Sequence, residues 1–421
     1  MTHPVETVEE MTPANSPDRL ASNVEIGALV VGGDHPGLGV VRSLGRRGIP
    51  TCVIDDQLCI SRFSRYAGKV IRVPDILDEK RTVDSVLAVG RKHNLRSWVL
   101  FPTRDETVAA FSRHRAELAE YFTVTTGEWE SVQHAWDKKK SYQLAEVLGI
   151  PCPRTYTPAS ESDLASLYAK LPLAIKPAIK ENFFYATGIK ALRCNSIEEL
   201  HQNYRQVIRQ IRPEEVLIQE IIPGSGLDQY SWCAFVRNGR PHSTLIARRL
   251  RQHPREFGRA ATYVETTQQQ EISELSERFV RSINYDGLVE IEYKRDPRDG
   301  DFKLLDVNAR AWGFHILGAA SGVDFPWLLY ADRVGIQIDP TNARPGVGWL
   351  RMITDFPTAL SHLAHGDLSL KDYFKSLASA RVESVFSWKD PGPFLAEIAL
   401  LPWLIAKKLP AGISPPASRV S

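Results

Sequence analysis

The 421-residue sequence is poor in the features that most quickly assign a protein. Its five cysteines (Cys52, Cys59, Cys152, Cys194 and Cys233) are scattered, odd in number and never spaced C-x-x-C. That argues against a disulfide scaffold and a zinc site, and fits a reducing compartment. Neither charge sign is in excess: the net charge is +2, so nothing calls for nucleic acid or another polyanion. The first 25 residues, "MTHPVETVEEMTPANSPDRLASNVE", have no basic segment followed by an apolar one. They are expected to be disordered and not to act as a signal peptide, which points to a cytoplasmic protein. No internal repeat is visible, and the dinucleotide fingerprint G-x-G-x-x-G is missing. The most apolar late stretch, "PFLAEIALLPWLIAKKLP" at 393–410, is broken by Glu397 and Pro402. It is shorter than the roughly 20 residues that span a bilayer. Leu395, Ile398, Leu401 and Ile405 keep helical spacing, so a packing helix is the leading reading. A membrane-surface or partner helix ending in Lys407 and Lys408 is the weaker one.

What is present begins with "IGALVVGGDHPGLGVVRSLGRRGIPTCVIDD". The pattern predicts a strand at 26–31, a glycine turn, a helix at about 37–47 and a second strand at 51–54, which is a parallel βαβ opening. Asp55 ends the second strand where a ribose-binding acid could sit, although packing is the better reading of this glycine turn. A further strand, "SWVLFP", leads into Arg104, Asp105 and Glu106. Loops after parallel strands are where open α/β sheets take ligands, so these three are candidates, with helix capping as the alternative.

In the middle of the chain, "DKKKSYQLAEVLGIPCPRT" predicts a helix started by Asp137 or Ser141 and ended by Gly149. "LPLAIKP" places Lys176 at the end of an apolar strand, where a compact ammonium suits a phosphate oxygen better than a core. "LIQEIIPG" ends a strand at Gln219 and Glu220, and Asn238-Gly239 predicts a hairpin. Arg248, Arg249, Arg251, Arg255 and Arg259 form a dense basic segment. A solvated face is one reading of it. In the other, Arg249 and Arg251 share a strand face and meet phosphate or an acidic substrate.

The most informative stretch is "DGLVEIEYKRDPRDGDFKLLDVNAR", at 286–310. Two alternating runs flank a turn-rich segment. A five-residue loop, 297–301, would set Asp296 opposite Phe302, Glu292 opposite Asp306 and Glu290 opposite Asn308. Val289, Ile291, Tyr293, Leu305 and Val307 would then share the inner face. Directly opposed carboxylates repel unless one is protonated or a cation lies between them. Oxygen donors without histidine or cysteine suit a hard ion, Mg²⁺ or Mn²⁺. The alternative is an exposed acidic face neutralised by Lys294 and Arg310.

Taken in order, these segments resemble the ATP-grasp superfamily, whose members include D-alanine–D-alanine ligase, biotin carboxylase and carbamoyl-phosphate synthetase. The similarity runs from about residue 26 to 335, and "ARRLRQHPREFGRAATYVE" resembles a branch of predicted carboxylate–amine ligases. The resemblance implies an α/β protein, α+β in its ATP-grasp part. It would have a Rossmann-like domain at 26–126, an ATP-grasp domain at 127–345 with an ATP lid at about 150–222, and an α-rich extension with a mobile tail at 346–421. It implies ATP as cofactor with Mg²⁺ (or Mn²⁺), and a small carboxylate and an amine as partners; an oligomer is left open.

By position, Lys138 and Lys176 would meet ATP phosphates, and Lys190, with Lys180, could take over phosphate contacts from the loop after Lys176. Glu220 with the backbone of Ile221 and Ile222 would hold adenine, and Asp228 would reach the ribose. Glu292, Asp306 and Asn308 would bind the metal, while Arg310, with Arg249 and Arg251, would serve the group in transfer. Three features depart from the family pattern. The loop after Lys176 has one glycine, Gly188, with Lys180, Phe183, Phe184 and Tyr185; Asp306 replaces the commoner glutamate; and "NARAWG" lacks the usual proline. An ATP-grasp kinase and a non-catalytic ATP-binding protein remain alternatives. No general base stands out, and His315 reads better as a packing residue.

Overall fold

The computed structural model describes residues 25–408 except 180–182, 184–186, 225–227, 255–257 and 259, and of 402–408 it describes the backbone alone. Lys180, Phe184, Tyr185, Arg255, Arg259, the first 24 residues and the C-terminal tail lie outside the described residues. The described residues form an α/β structure with three sheets.

The first sheet is parallel, in the order β3-β2-β1-β4-β5, and is formed by β1 (Ala28–Val31), β2 (Thr51–Asp55), β3 (Lys69–Arg72), β4 (Val99–Pro102) and β5 (Thr123–Val124). Its central strands are apolar throughout and buried on both faces, as parallel strands covered by helices must be. The expected βαβ opening is present, with its helix at His35–Gly45. The glycine turn serves packing. Asp55 accepts from the Gly33 amide at 2.6 Å and from Arg104 at 3.2 Å, so its carboxylate is already engaged. A side chain at Gly39 would strike His315, whose Nε2 lies 2.9 Å from the Pro36 carbonyl oxygen. His315 is thus a buried packing residue.

The second sheet is antiparallel, in the order β6-β9-β7-β8: β6 (Thr155–Tyr156), β7 (Leu173–Pro177), β8 (Leu192–Cys194) and β9 (Val216–Glu220). The third has seven strands in the order β14-β13-β10-β11-β12-β15-β16: β10 (Gln229–Arg237), β11 (Arg240–His253), β12 (Ala260–Thr267), β13 (Gly287–Arg295), β14 (Phe302–Asn308), β15 (Gly348–Leu350) and β16 (Ala380–Glu383). Asn238 and Gly239 turn β10 into β11 with φ of 45° and 72°, the left-handed pair that a two-residue hairpin turn requires. The segment after Gly335 does more than add helices, because β15 and β16 extend the seven-stranded sheet. The helix Met352–Ala364 then packs on β11 and β12.

The β13–β14 hairpin sets Glu290 opposite Asn308, Ile291 opposite Val307 and Glu292 opposite Asp306. The turn end is offset by one residue: Arg295, not Asp296, faces Phe302, and the register shifts between Glu292 and Tyr293. The loop is 296–301, six residues rather than the expected five, and a bulge at Leu305 restores the expected pairing beyond it. The bulge decides which leucine is core. Leu304 is fully buried among Val289, Ile291 and Tyr293, whereas Leu305, expected inside, lines a cavity.

Candidate active site

A cavity of about 1180 Å³ lies between the second and third sheets. Each wall carries one part of the chemistry. Asp137 caps the helix Lys138–Val147 by accepting from the Lys139 amide at 2.9 Å, which puts Lys138 in the first helical turn, buried against the cavity. Lys176 enters from β7 and Lys190 from the loop before β8, while Glu292 and Asp306 enter from the hairpin and Arg249 from β11.

Each carboxylate of the rung has a cationic partner. Lys138 Nζ donates to Asp306 Oδ1, which also accepts from the Val307 amide at 3.0 Å. Arg249 donates to Glu292 Oε2 at 3.1 Å and to Gln229 Oε1 at 2.9 Å. Asn308 Nδ2 donates to Glu290 at 3.2 Å and to Glu292 at 3.3 Å, and Ser231 donates to Glu290 at 2.9 Å. Lys176 Nζ donates at 2.5 Å to the Tyr142 hydroxyl, which donates at 2.6 Å to the Leu305 carbonyl. Lys190 Nζ donates to the Gly258 carbonyl at 3.4 Å.

Burial by itself would raise the Asp306 carboxyl, but Lys138, Lys190 and Lys176 outweigh it and hold the group down at about 2. Glu292 is likewise kept low by Arg249 and Lys190 against its burial. Glu290 goes the other way: burial, with Glu292 beside it, raises it to about 8, so it carries a proton at neutral pH. Burial, with Lys138 and Lys190 close by, lowers Lys176 to about 7. The site therefore holds two ionised carboxylates on one rung and an excess of cationic groups facing open space. That excess suits a polyanion entering the cavity.

Among the described residues no three His, Cys, Asp or Glu side chains could hold an ion by themselves. Mg²⁺ does not need three: it commonly takes one or two carboxylates and completes its shell with phosphate and water. The Glu292–Asp306 rung supplies carboxylate oxygens at the cavity wall that fit such an ion, whereas Asn308 is not among the lining residues and its amide oxygen accepts from Arg310.

The remaining candidates separate. Glu220, Ile221 and Ile222 line the cavity, with Pro223 and Gly224. The Glu220 carboxylate accepts from the Arg154 amide at 2.9 Å and from Arg298 at 3.2 Å, and the Ile222 carbonyl accepts from Lys294 at 2.9 Å. Asp228 is not among the lining residues; its neighbour Gln229 is. Arg310 lies outside the cavity. It donates to Asp105 at 2.6 and 3.1 Å and to Asn308 Oδ1 at 3.4 Å, joining the hairpin to the helix after β4.

Arg249 and Arg251 do not act as a matched pair, because a bulge at Leu250 gives them different neighbours. Arg251 is clamped by Asp355 at 2.7 and 2.9 Å and by Ser376 at 2.9 Å, between the rings of Tyr263 and Tyr373. His362, Asp367, Leu368 and Asp372 join Ser376 in the cavity wall, so the C-terminal helices close the site. Sequence reasoning missed that wall, and it missed Tyr142 as well. Tyr142 stands four residues after Lys138, one helical turn away on the same face, and that spacing was the available signal.

A family model described as "ATP-grasp in the biosynthetic pathway with Ter operon" matches residues 214–351. The chain is 22% identical over 328 residues to D-aspartate ligase of Enterococcus faecium (strain Aus0004), covering 74% of this chain and 77% of that one. Among solved structures, the biotin carboxylase domain of Hydrogenobacter thermophilus 2-oxoglutarate carboxylase, in complex with MgADP, ADP and bicarbonate, superposes with a TM-score of 0.62 at 14% identity, covering 77% of this chain and 73% of that one. L-amino acid ligase from Bacillus licheniformis gives a TM-score of 0.59 at 14% identity over 77% and 78%. Residues 214–351 thus match an ATP-grasp family model, and the chain shares the fold of the two solved structures.

Proposed function

We propose that the protein is an ADP-forming carboxylate–amine ligase using ATP. The observation that carries the reading is the cavity in which Lys138, Lys176, Lys190 and Arg249 converge on the Glu292–Asp306 rung. The D-aspartate and L-amino acid ligases named above support ligation, and they make amino acids the first carboxylates to examine.

In this reading the adenine lies against Ile221, Ile222 and Leu305, and the triphosphate extends toward the lysines. A carboxylate oxygen of the substrate attacks the γ-phosphorus, the bond from phosphorus to the bridging oxygen breaks, and ADP leaves. The acyl phosphate is then attacked at carbon by a neutral amine. Phosphate departs with the carboxylate oxygen it received, and the amine proton passes to solvent. Lys176 and Lys190 counter charge on the phosphate oxygens, and Arg249 swings between Glu292 and the transferring group. Glu292 and Asp306 would hold Mg²⁺, which neutralises charge and orients the phosphates. Arg310, held by Asp105 outside the cavity, would act through Asn308, whose amide oxygen it contacts.

The test is ADP release screened over amino acids and other small carboxylates, each with and without an amine. Release that needs both partners, with an amide as product, is the expected result. A stable phosphorylated product without amide would identify a kinase instead.

A further inference from the structure

Outside the lining of the cavity, the helix Gly392–Lys408 is built inside out. Pro393, Ala396 and Glu397 are buried, while Leu395 and Ile398 are 63% and 50% exposed. Glu397 is turned inward onto Arg351 at 2.6 Å. In the loop before the helix, Trp388 is 87% exposed. Its ring stands edge-on to Phe386 at 4.8 Å, and Phe386 packs on Phe394 at 5.2 Å, so the tryptophan is anchored at its base and open outward.

The other acid of this segment, Asp390, is also internal. It receives Arg42 at 2.9 Å, Ser64 at 2.7 Å and the Arg65 amide at 2.9 Å. Lys389, by contrast, is exposed, and the helix sequence ends in Lys407 and Lys408. The helix packs on the turn Ile60–Phe63, whose Phe63 carbonyl abuts Gly392. Around that turn Leu58, Arg62, Phe63 and Arg65 are exposed. Residues 58–65 contain no acid, and both acids of 388–401 point inward. The result is one face with large apolar side chains, outward cations and, among the described residues of these two segments, no outward acid.

No helix among the described residues is long and apolar enough to cross a membrane. A second copy docking by a two-fold axis would bring together two faces that both carry cations and, in these two segments, no outward acid to offset them, which is unfavourable. An anionic surface with an apolar layer beneath it satisfies both halves of the face. We infer that this face docks on the surface of an anionic phospholipid bilayer. Trp388, Leu395 and Ile398 enter the boundary between headgroups and acyl chains, and Arg62, Arg65 and Lys389 meet the lipid phosphates. The inference goes beyond the ligase reading and does not depend on it.

Cosedimentation of the full chain with vesicles tests it, comparing phosphatidylcholine alone with phosphatidylcholine containing phosphatidylglycerol. Binding is expected to be roughly tenfold or more tighter on the anionic vesicles and to weaken with salt. The double variant Leu395→Glu, Ile398→Glu should lose roughly tenfold or more of that binding. Its thermal midpoint should be unchanged, because both side chains point outward. Failure to bind either vesicle, or equal binding by the wild type and the double variant, would overturn the inference. So would a wild-type dimer in solution that the double variant dissolves.

Discussion

Glu292 and Asp306 face each other across the β13–β14 ladder, yet each is matched to a cation from elsewhere: Arg249 from β11 and Lys138 from a helix start. Both acids therefore remain ionised in a buried place, where two opposed carboxylates would otherwise repel. Asp306→Asn keeps the shape and removes one charge, leaving Lys138 without its counter-ion. Mg-dependent ADP formation should fall at least about 100-fold, while the folded state persists. Steady-state ADP release and a thermal melt measure the two effects.

The bulge separates neighbouring leucines into different roles. Leu304 is fully buried in the core, so Leu304→Ala should cost about 2–5 kcal/mol of stability by urea unfolding. Leu305 lines the cavity, so Leu305→Ala should change stability little and raise the KM for ATP. Similar effects of the two changes on both quantities would remove the distinction.

Lys176 carries a pH signature. Its buried amine, lowered to about 7 from 10.5, holds a proton less tightly than in the unfolded chain. Stability from this group is therefore lowest below about 7 and recovers as pH rises toward 10.5. A bound triphosphate reverses the balance and favours the ammonium. Nucleotide binding at pH 8 should take up about one proton, read by calorimetry in buffers of different ionisation enthalpy. Lys176→Met should abolish the buffer dependence.

Arg251 and Asp355 form a buried pair that fixes the C-terminal wall of the cavity. Removing one partner strands the other, so Arg251→Ala should destabilise the chain by about 3–5 kcal/mol. Arg249→Ala, at the Glu292 side, should instead cost turnover more than stability. Chemical unfolding together with ADP release separates the two arginines.

Much of this arrangement was legible in the sequence where the signal is local. Alternation along 286–310 paired Glu292 with Asp306, although the turn was misplaced by one residue. Leu304 and Leu305 are chemically identical, so no pattern could say which would bulge. The bulge at Leu250 was hidden in the same way, because evenly spaced arginines look like a regular strand until one residue is left unpaired. The wall built from His362, Asp367 and Ser376 depends on Arg251 meeting Asp355 more than 100 residues away, a contact with no local trace. Resemblance to a family supplied the order of the lysines and acids. It offered nothing on Tyr142, whose hydroxyl links Lys176 to the bulged strand.

In the proposed ligase a substrate carboxylate is activated through its own oxygen. The most direct measurement uses the carboxylate found in the ADP-release screen, labelled in both oxygens with ¹⁸O, and mass analysis of the phosphate released with the amide. Transfer of one ¹⁸O into that phosphate for each amide formed is the predicted result. Phosphate free of label, alongside amide product, would contradict it.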